Sequence, residues 1–116
     1  MPFTKEFLSA GPNGVPVAVT GTVSSAPTVL HSSGTSTTTK DEVWLWAFNP
    51  GTAASVVTVQ KAGTGALVQN TVSIPANSGA YEVVPGWPIA GGLQINAFST
   101  SAVKPIFDGY VNRITP

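Results

Sequence analysis

Between Asp41 and Pro50 the chain reads DEVWLWAFNP, with every residue from Val43 to Phe48 apolar. Extended, this run sets Trp44, Trp46 and Phe48 on one face and Val43, Leu45 and Ala47 on the other. A strand of a small antiparallel sandwich ordinarily keeps one face dry and one wet. This one is apolar on both, so both faces call for a cover.

The rest of the pattern is also strand-like. VPVAVTGTV (15–23) sets Val15, Val17 and Val19 on one side. Pro16 lacks an amide donor, which confines the segment to a sheet edge or an extended connection. APTVLHS (26–32) predicts a short strand, and the polar SSGTSTTTK (32–40) a loop. EVWLWAFN (42–49), the turn NPGT and SVVTVQK (55–61) predict a hairpin, with a further turn at AGTG (62–65). Strands follow at 70–74 and 80–84, then a Pro/Gly loop, PGWPIAGG (85–92), carrying Trp87. LQINAFS (93–99) alternates Leu93, Ile95 and Ala97 against Gln94, Asn96 and Phe98, and IFDGYVNRI (106–114) closes the chain. Neither a helix start-and-stop pattern nor a repeat is evident.

These elements predict an all-β fold: a single antiparallel β-sandwich of roughly eight strands, jelly-roll-like in connectivity. Residues 1–25 read as an extended N-terminal arm with an edge strand, and 26–116 as the sandwich domain. The first 14 residues hold Phe3, Phe7 and Leu8 before the breakers GPNG. They read either as a frayed terminus or as an arm that orders against a partner.

Composition sharpens the functional side. Charged residues are 9% of the 116 and the net charge is zero, against about 25% charged in ordinary domains. A basic footprint for nucleic acid is missing, and so is a run of apolar residues long enough for a membrane span. No apolar leader is visible, which predicts synthesis in a cytoplasm. There is no cysteine. The single histidine, His31, adjoins the Ser/Thr-rich loop and reads as an exposed loop residue rather than a catalytic base. Asp41 and Glu42 point to opposite faces of a strand, so they cannot jointly flank a bond; they read as wet caps on the strand start. Asp108-Gly109 predicts a bulge or bend. No ligand spacing points to a metal, and no cofactor is expected.

That leaves the aromatics. Each large ring brings ~150–250 Å² of surface, so exposed together they form a patch that marks a contact. Three arrangements are open: aromatics in the core with the smaller face under the N-terminal segment, one face packed on another subunit, or a sugar-stacking platform.

The stretches KDEVWLWAFNPGTAASVVTVQ, VSIPANSGAYEVVPGWPIAGGLQINAFSTS and GYVNRI, spanning about residues 40–114, together resemble small virion proteins of tailed bacteriophages, including capsid decoration (cement) proteins. The resemblance implies a non-enzymatic protein on the outside of the phage head, made in the host cytoplasm. Its partners would be the major capsid protein and further copies of itself, as a trimer or alternatively a dimer. On this view Val43, Trp44, Leu45, Trp46 and Phe48, with Val57 and Val59 of the hairpin partner, form the subunit interface. Phe3, Phe7 and Leu8 form the capsid-binding arm, with Val15, Val17 and Val19 as an added strand. Two rival readings are a head-fibre or tail adhesin that binds host glycans through Trp44, Trp46 or Trp87, and an assembly or baseplate module inside the virion.

Overall fold

Among the described residues nine strands form in chain order: β1 (Phe3–Glu6), β2 (Val17–Ala18), β3 (Thr28–Ser32), β4 (Lys40–Phe48), β5 (Ser55–Lys61), β6 (Val68–Ile74), β7 (Tyr81–Ile89), β8 (Gln94–Phe98) and β9 (Ile106–Ile114). The structure, a computed structural model, describes residues 3–61, 68–77 and 79–116; the turn expected at 62–65 lies outside the described residues. Two antiparallel sheets pack into a β-sandwich. One has the order β1-β9-β4-β7, with β2 also on β9; the other has the order β3-β8-β5-β6. After β2, every connection except β5–β6 passes from one sheet to the other.

The inward faces follow the period of two. Val43, Leu45 and Ala47 of β4 alternate with outward Trp44, Trp46 and Phe48, and the three small residues are fully buried. They meet Val57 and Val59 of β5, Ile95 and Ala97 of β8, and Phe107 and Val111 of β9 in one core cluster. The aromatic side of β4 is therefore not the core, because a sandwich gap of about 10 Å is already filled by aliphatic side chains from both sheets.

The expected hairpin between 42–49 and 55–61 does not form: β4 pairs with β7 and β9, and β5 with β6 and β8. Asn49 explains the difference. Its side-chain amide donates to the carbonyls of Ala53 and Ile74, while its Oδ1 accepts from the Gly51 N–H. The NPGT corner thus carries the chain across the core instead of folding it back within one sheet. The Pro/Gly segment expected as a loop is largely strand, since β7 runs to Ile89. Pro85 and Pro88 are tolerated because β7 is a sheet edge, and its register against β4 breaks twice.

The N-terminal segment lies along the sheet. Phe3–Glu6 pairs with Val111–Ile114 of β9, and Val17–Ala18 with Ile106–Phe107. Leu8, Val17 and Val19 are core residues, whereas Phe3, Phe7 and Val15 are exposed.

Gln60 and Asn96 are cross-strand partners on β5 and β8, and both are enclosed. The two amide atoms of Gln60 and Oδ1 of Asn96 have no hydrogen-bond partner among the described residues. An unmet buried polar group costs about 1–3 kcal/mol. Gln60→Met keeps the length of the side chain and removes two such atoms. It will stabilise the fold by about 1–2 kcal/mol, read as a higher urea midpoint at unchanged slope.

Candidate functional site

The outward face of the β1-β9-β4-β7 sheet carries the aromatic residues. Because β4 and β9 pair in register from Lys40↔Ile114 to Phe48↔Ile106, Trp46 stands opposite Asp108 and Trp44 opposite Tyr110. The Trp46 and Tyr110 rings stack with centroids 5.9 Å apart and planes 28° from parallel. Lys5 of β1 places its Nζ 4.5 Å from the Tyr110 ring centroid, a cation–π contact. Trp44 is held by its own indole, which donates to Glu42 Oε1 at 2.8 Å; Asn112 donates to the same oxygen at 3.2 Å. At the far end Phe48 is 37% exposed. Phe3, opposite Ile114 at the near end, is 66% exposed.

Gly86 lets the Trp44 ring lie flat against the sheet. A Cβ there would sit 2.9 Å from Trp44 Cζ2, and the residue's φ of +80° suits glycine. Beside Trp46, Phe48 and Tyr110 lies a shallow depression of about 340 Å³, with Asp108 on its rim. Oδ1 of Asp108 accepts the Gly109 N–H.

Of the residues expected at a subunit contact, Trp44, Trp46 and Phe48 come together on this face. Val43, Leu45, Val57 and Val59 are fully enclosed in the domain's own core, so they have no surface to offer a partner. Of the expected capsid-binding residues, Leu8, Val17 and Val19 are likewise core, which leaves Phe3, Phe7 and Val15 outside. Trp87 packs against the core from β7 and is no part of the aromatic face. Lys5, Asp108 and Tyr110 were not anticipated there. The alternation Ile106, Asp108, Tyr110, Asn112 was the available signal, but it points to this face only once β9 is known to lie beside β4.

A second cluster sits inside the sandwich end. His31 of β3 is buried, contrary to its reading as an exposed loop residue. Its Nε2 lies 2.8 Å from Asp41 Oδ2 on the opposite sheet. Its Nδ1 accepts the Ser9 backbone N–H at 3.0 Å. A backbone N–H can only donate, so Nδ1 carries no proton and Nε2–H donates to Asp41. Arg113 donates from Nε and Nη2 to the two carboxylate oxygens of Asp41 at 2.9 and 3.1 Å. Glu6 Oε1 stands 4.0 Å from Arg113. Asp41 is thus buried and paired, not a wet cap. Burial alone would raise its carboxyl; the hydrogen bonds from Arg113 and His31, and the Arg113 charge, outweigh that and hold it below the usual 3.8.

This cluster ties four strands and the Ser9 corner together. Among the described residues no hydroxyl is hydrogen-bonded to the imidazole: Ser9 gives it a backbone N–H, and Ser9 Oγ instead accepts the Ser32 N–H. Its chemistry is that of a structural clasp. A search of protein-family models, of curated proteins and of solved structures finds no match to this chain.

Proposed function

We propose that this chain is a non-enzymatic structural protein of a phage virion, a decoration protein that binds the outside of the head. The observation that carries this reading is the aromatic face of β4 and β9. Trp44, Trp46, Phe48 and Tyr110 stand side by side on the outside of a folded domain whose core is complete without them. Aromatic side chains are the residues that dominate interface energetics. A chain of 9% charged residues and zero net charge opposes association weakly. In this reading the Trp46–Phe48 end meets another copy, and Phe3, Phe7 and Val15 meet the major capsid protein. The resemblance of residues 40–114 to virion proteins supports the same role. So does the strand order β1-β9-β4-β7 against β3-β8-β5-β6 with its repeated sheet crossings, which we read as a jelly roll, an architecture of viral capsid and lectin domains.

The test compares the wild type with Trp46→Ser/Phe48→Ser and with Phe3→Ser/Phe7→Ser. All three should give the same circular dichroism, since none of these side chains is core. The wild type should sediment as an oligomer and bind undecorated heads. The first variant should sediment as a smaller species than the wild type, and the second should lose at least about tenfold in head affinity, the effect of ~1.4 kcal/mol. A wild type that is monomeric and has no affinity for heads ends the proposal. Deleting residues 1–14 is not a clean test, because Leu8 and Ser9 belong to the fold.

One observation favours the adhesin as a second reading. The depression is lined by the stacked Trp46 and Tyr110 rings and by the Asp108 carboxyl group, which suits a pyranose with its apolar face and hydroxyls. Saturable quenching of tryptophan fluorescence by a host polysaccharide, by a chain that ignores heads, selects it.

A further inference from the structure

We propose that β6 is a seam along which two copies of this chain join, edge to edge and antiparallel, about a two-fold axis at Thr71. The inference goes beyond the proposed function and rests on other residues than the aromatic face.

Open sheet edges are templates for strand pairing, and natural proteins guard them with short strands, charges, prolines, bulges or covering segments. The other edges here carry such guards. β1 has four residues and includes Lys5 and Glu6. β2 has two residues behind Pro16. β7 carries Pro85 and Pro88 and breaks register twice. β3 breaks register between Val29 and His31. Among the described residues β6 has none of these. It runs seven residues, pairs with β5 without a break from Ser55↔Ile74 to Lys61↔Val68, and ends its sheet. Gln69, Thr71 and Ser73 are exposed along it. From Ala62 to Tyr81 the sequence has no Asp, Glu, Lys, Arg or His.

The missing charge argues for a second copy as the occupant. A strand that pairs with itself about Thr71 brings the residues beside that axis, Asn70 to Val72, next to their own copies, where a charge would face its like and destabilise the sheet. A foreign strand would impose no such neutrality. Antiparallel pairing of identical strands is isologous and closes as a dimer. Centred on the middle residue of Val68–Ile74, it sets Thr71 opposite Thr71 and Gln69 opposite Ser73, polar pairs that a sheet accepts. Thr71 Oγ1 already lies 2.9 Å from Thr58 Oγ1. Joining the edges extends that contact into a ladder of four threonines across one continuous eight-stranded sheet.

The chain has no cysteine, so one introduced thiol reads the register. Opposed Cα atoms of an antiparallel pair stand about 4.5–5.5 Å apart, within the ~4.4–6.8 Å that a disulfide spans. Thr71→Cys should therefore oxidise to a covalent dimer. Ser73→Cys should not, since its own copy lies four residues away, roughly 13 Å at about 3.3 Å per residue. Mixing Ser73→Cys with Gln69→Cys should restore cross-linking. The expected contrast in rate is at least about tenfold, because only the seam holds the thiols at high effective concentration. The wild type should dimerise with rising concentration in sedimentation, and Thr71→Cys should still cross-link when Trp46→Ser is added. Equal rates for Thr71→Cys and Ser73→Cys, or a wild type that stays monomeric throughout, overturn the seam. So does a dimer that Trp46→Ser abolishes and no β6 thiol pair traps; that dimer belongs to the aromatic face.

Discussion

Asp41→Ala will destabilise the domain by about 2–3 kcal/mol, mainly the cost of an unmet buried donor on His31, since the Arg113 side chain is 35% exposed and can turn to water. The carboxylate takes the Nε2–H of His31 and two donors of Arg113. Without it, a buried imidazole keeps a donor with no acceptor, and Arg113 loses both charge-assisted bonds. Domains of this size hold only about 5–15 kcal/mol in total, so the loss is a large share. Chemical denaturation reads it as a lower midpoint. Asp41→Asn keeps the shape and one acceptor but turns an NH₂ toward a donor, and it should fall between alanine and wild type. Either variant should speed hydrogen exchange at Ser9 and Ser32 before the β4–β9 ladder, because those two amides hang on the clasp.

The same clasp sets an acid limb. The folded Asp41 carboxyl is held below the unfolded value of 3.8, so protonation favours the unfolded chain. Its contribution is complete above 3.8 and is lost as the pH falls through the lowered folded value. Asp41→Asn has no such carboxyl and should show a flatter stability profile across that acid window.

How much of this was readable beforehand depends on the range of the interaction. The strand class and most strand positions follow from alternation, which is local: Val43, Leu45 and Ala47 against Trp44, Trp46 and Phe48 is legible from six consecutive letters. Which set faces inward is not local. It depends on Val57, Val59, Ile95 and Phe107 arriving from other strands with enough aliphatic volume to close the gap. The hairpin expectation failed at Asn49, whose side chain reaches the carbonyl of Ile74, 25 residues on. NPGT looks the same whether the chain folds back or crosses over. His31 sat beside a polar loop and was read as exposed, since its two partners, Asp41 and the Ser9 amide, are 10 and 22 residues away. The N-terminal segment reads as an arm because Phe3, Phe7 and Leu8 stand in a short tail cut off by GPNG, with no local sign of the strand they pair with. In the fold, β9 runs nine residues and leaves Val111–Ile114 an open edge that Phe3–Glu6 fills.

Gly109→Ala will cost about 3 kcal/mol or more, at or above the upper end for overpacking, although it adds one methyl group. Gly109 lies mid-strand in β9, opposite Leu45, and its backbone is not in the left-handed region. Space alone demands glycine there. A Cβ at this position would fall 2.0 Å from the Trp44 carbonyl oxygen and 3.1 Å from the Leu45 Cα. Both are backbone atoms of the neighbouring strand, so no side chain can rotate away. The two strands would have to part by about 1 Å to restore an ordinary contact, loosening ladder bonds that cost energy to leave unmade. This is the close backbone approach that a glycine inside a strand marks, and it was visible in the sequence only as a bulge or bend at Asp108-Gly109. Gly34→Ala is the control, since its added Cβ meets nothing within 4 Å, and its midpoint should match wild type. Because β9 and β4 carry Tyr110, Trp44 and Trp46, a shift between them also displaces the aromatic face. Gly109→Ala should therefore weaken self-association under conditions where circular dichroism still reports a folded domain, whereas a variant that loses stability but keeps full association would separate the face from the strand pairing beneath it.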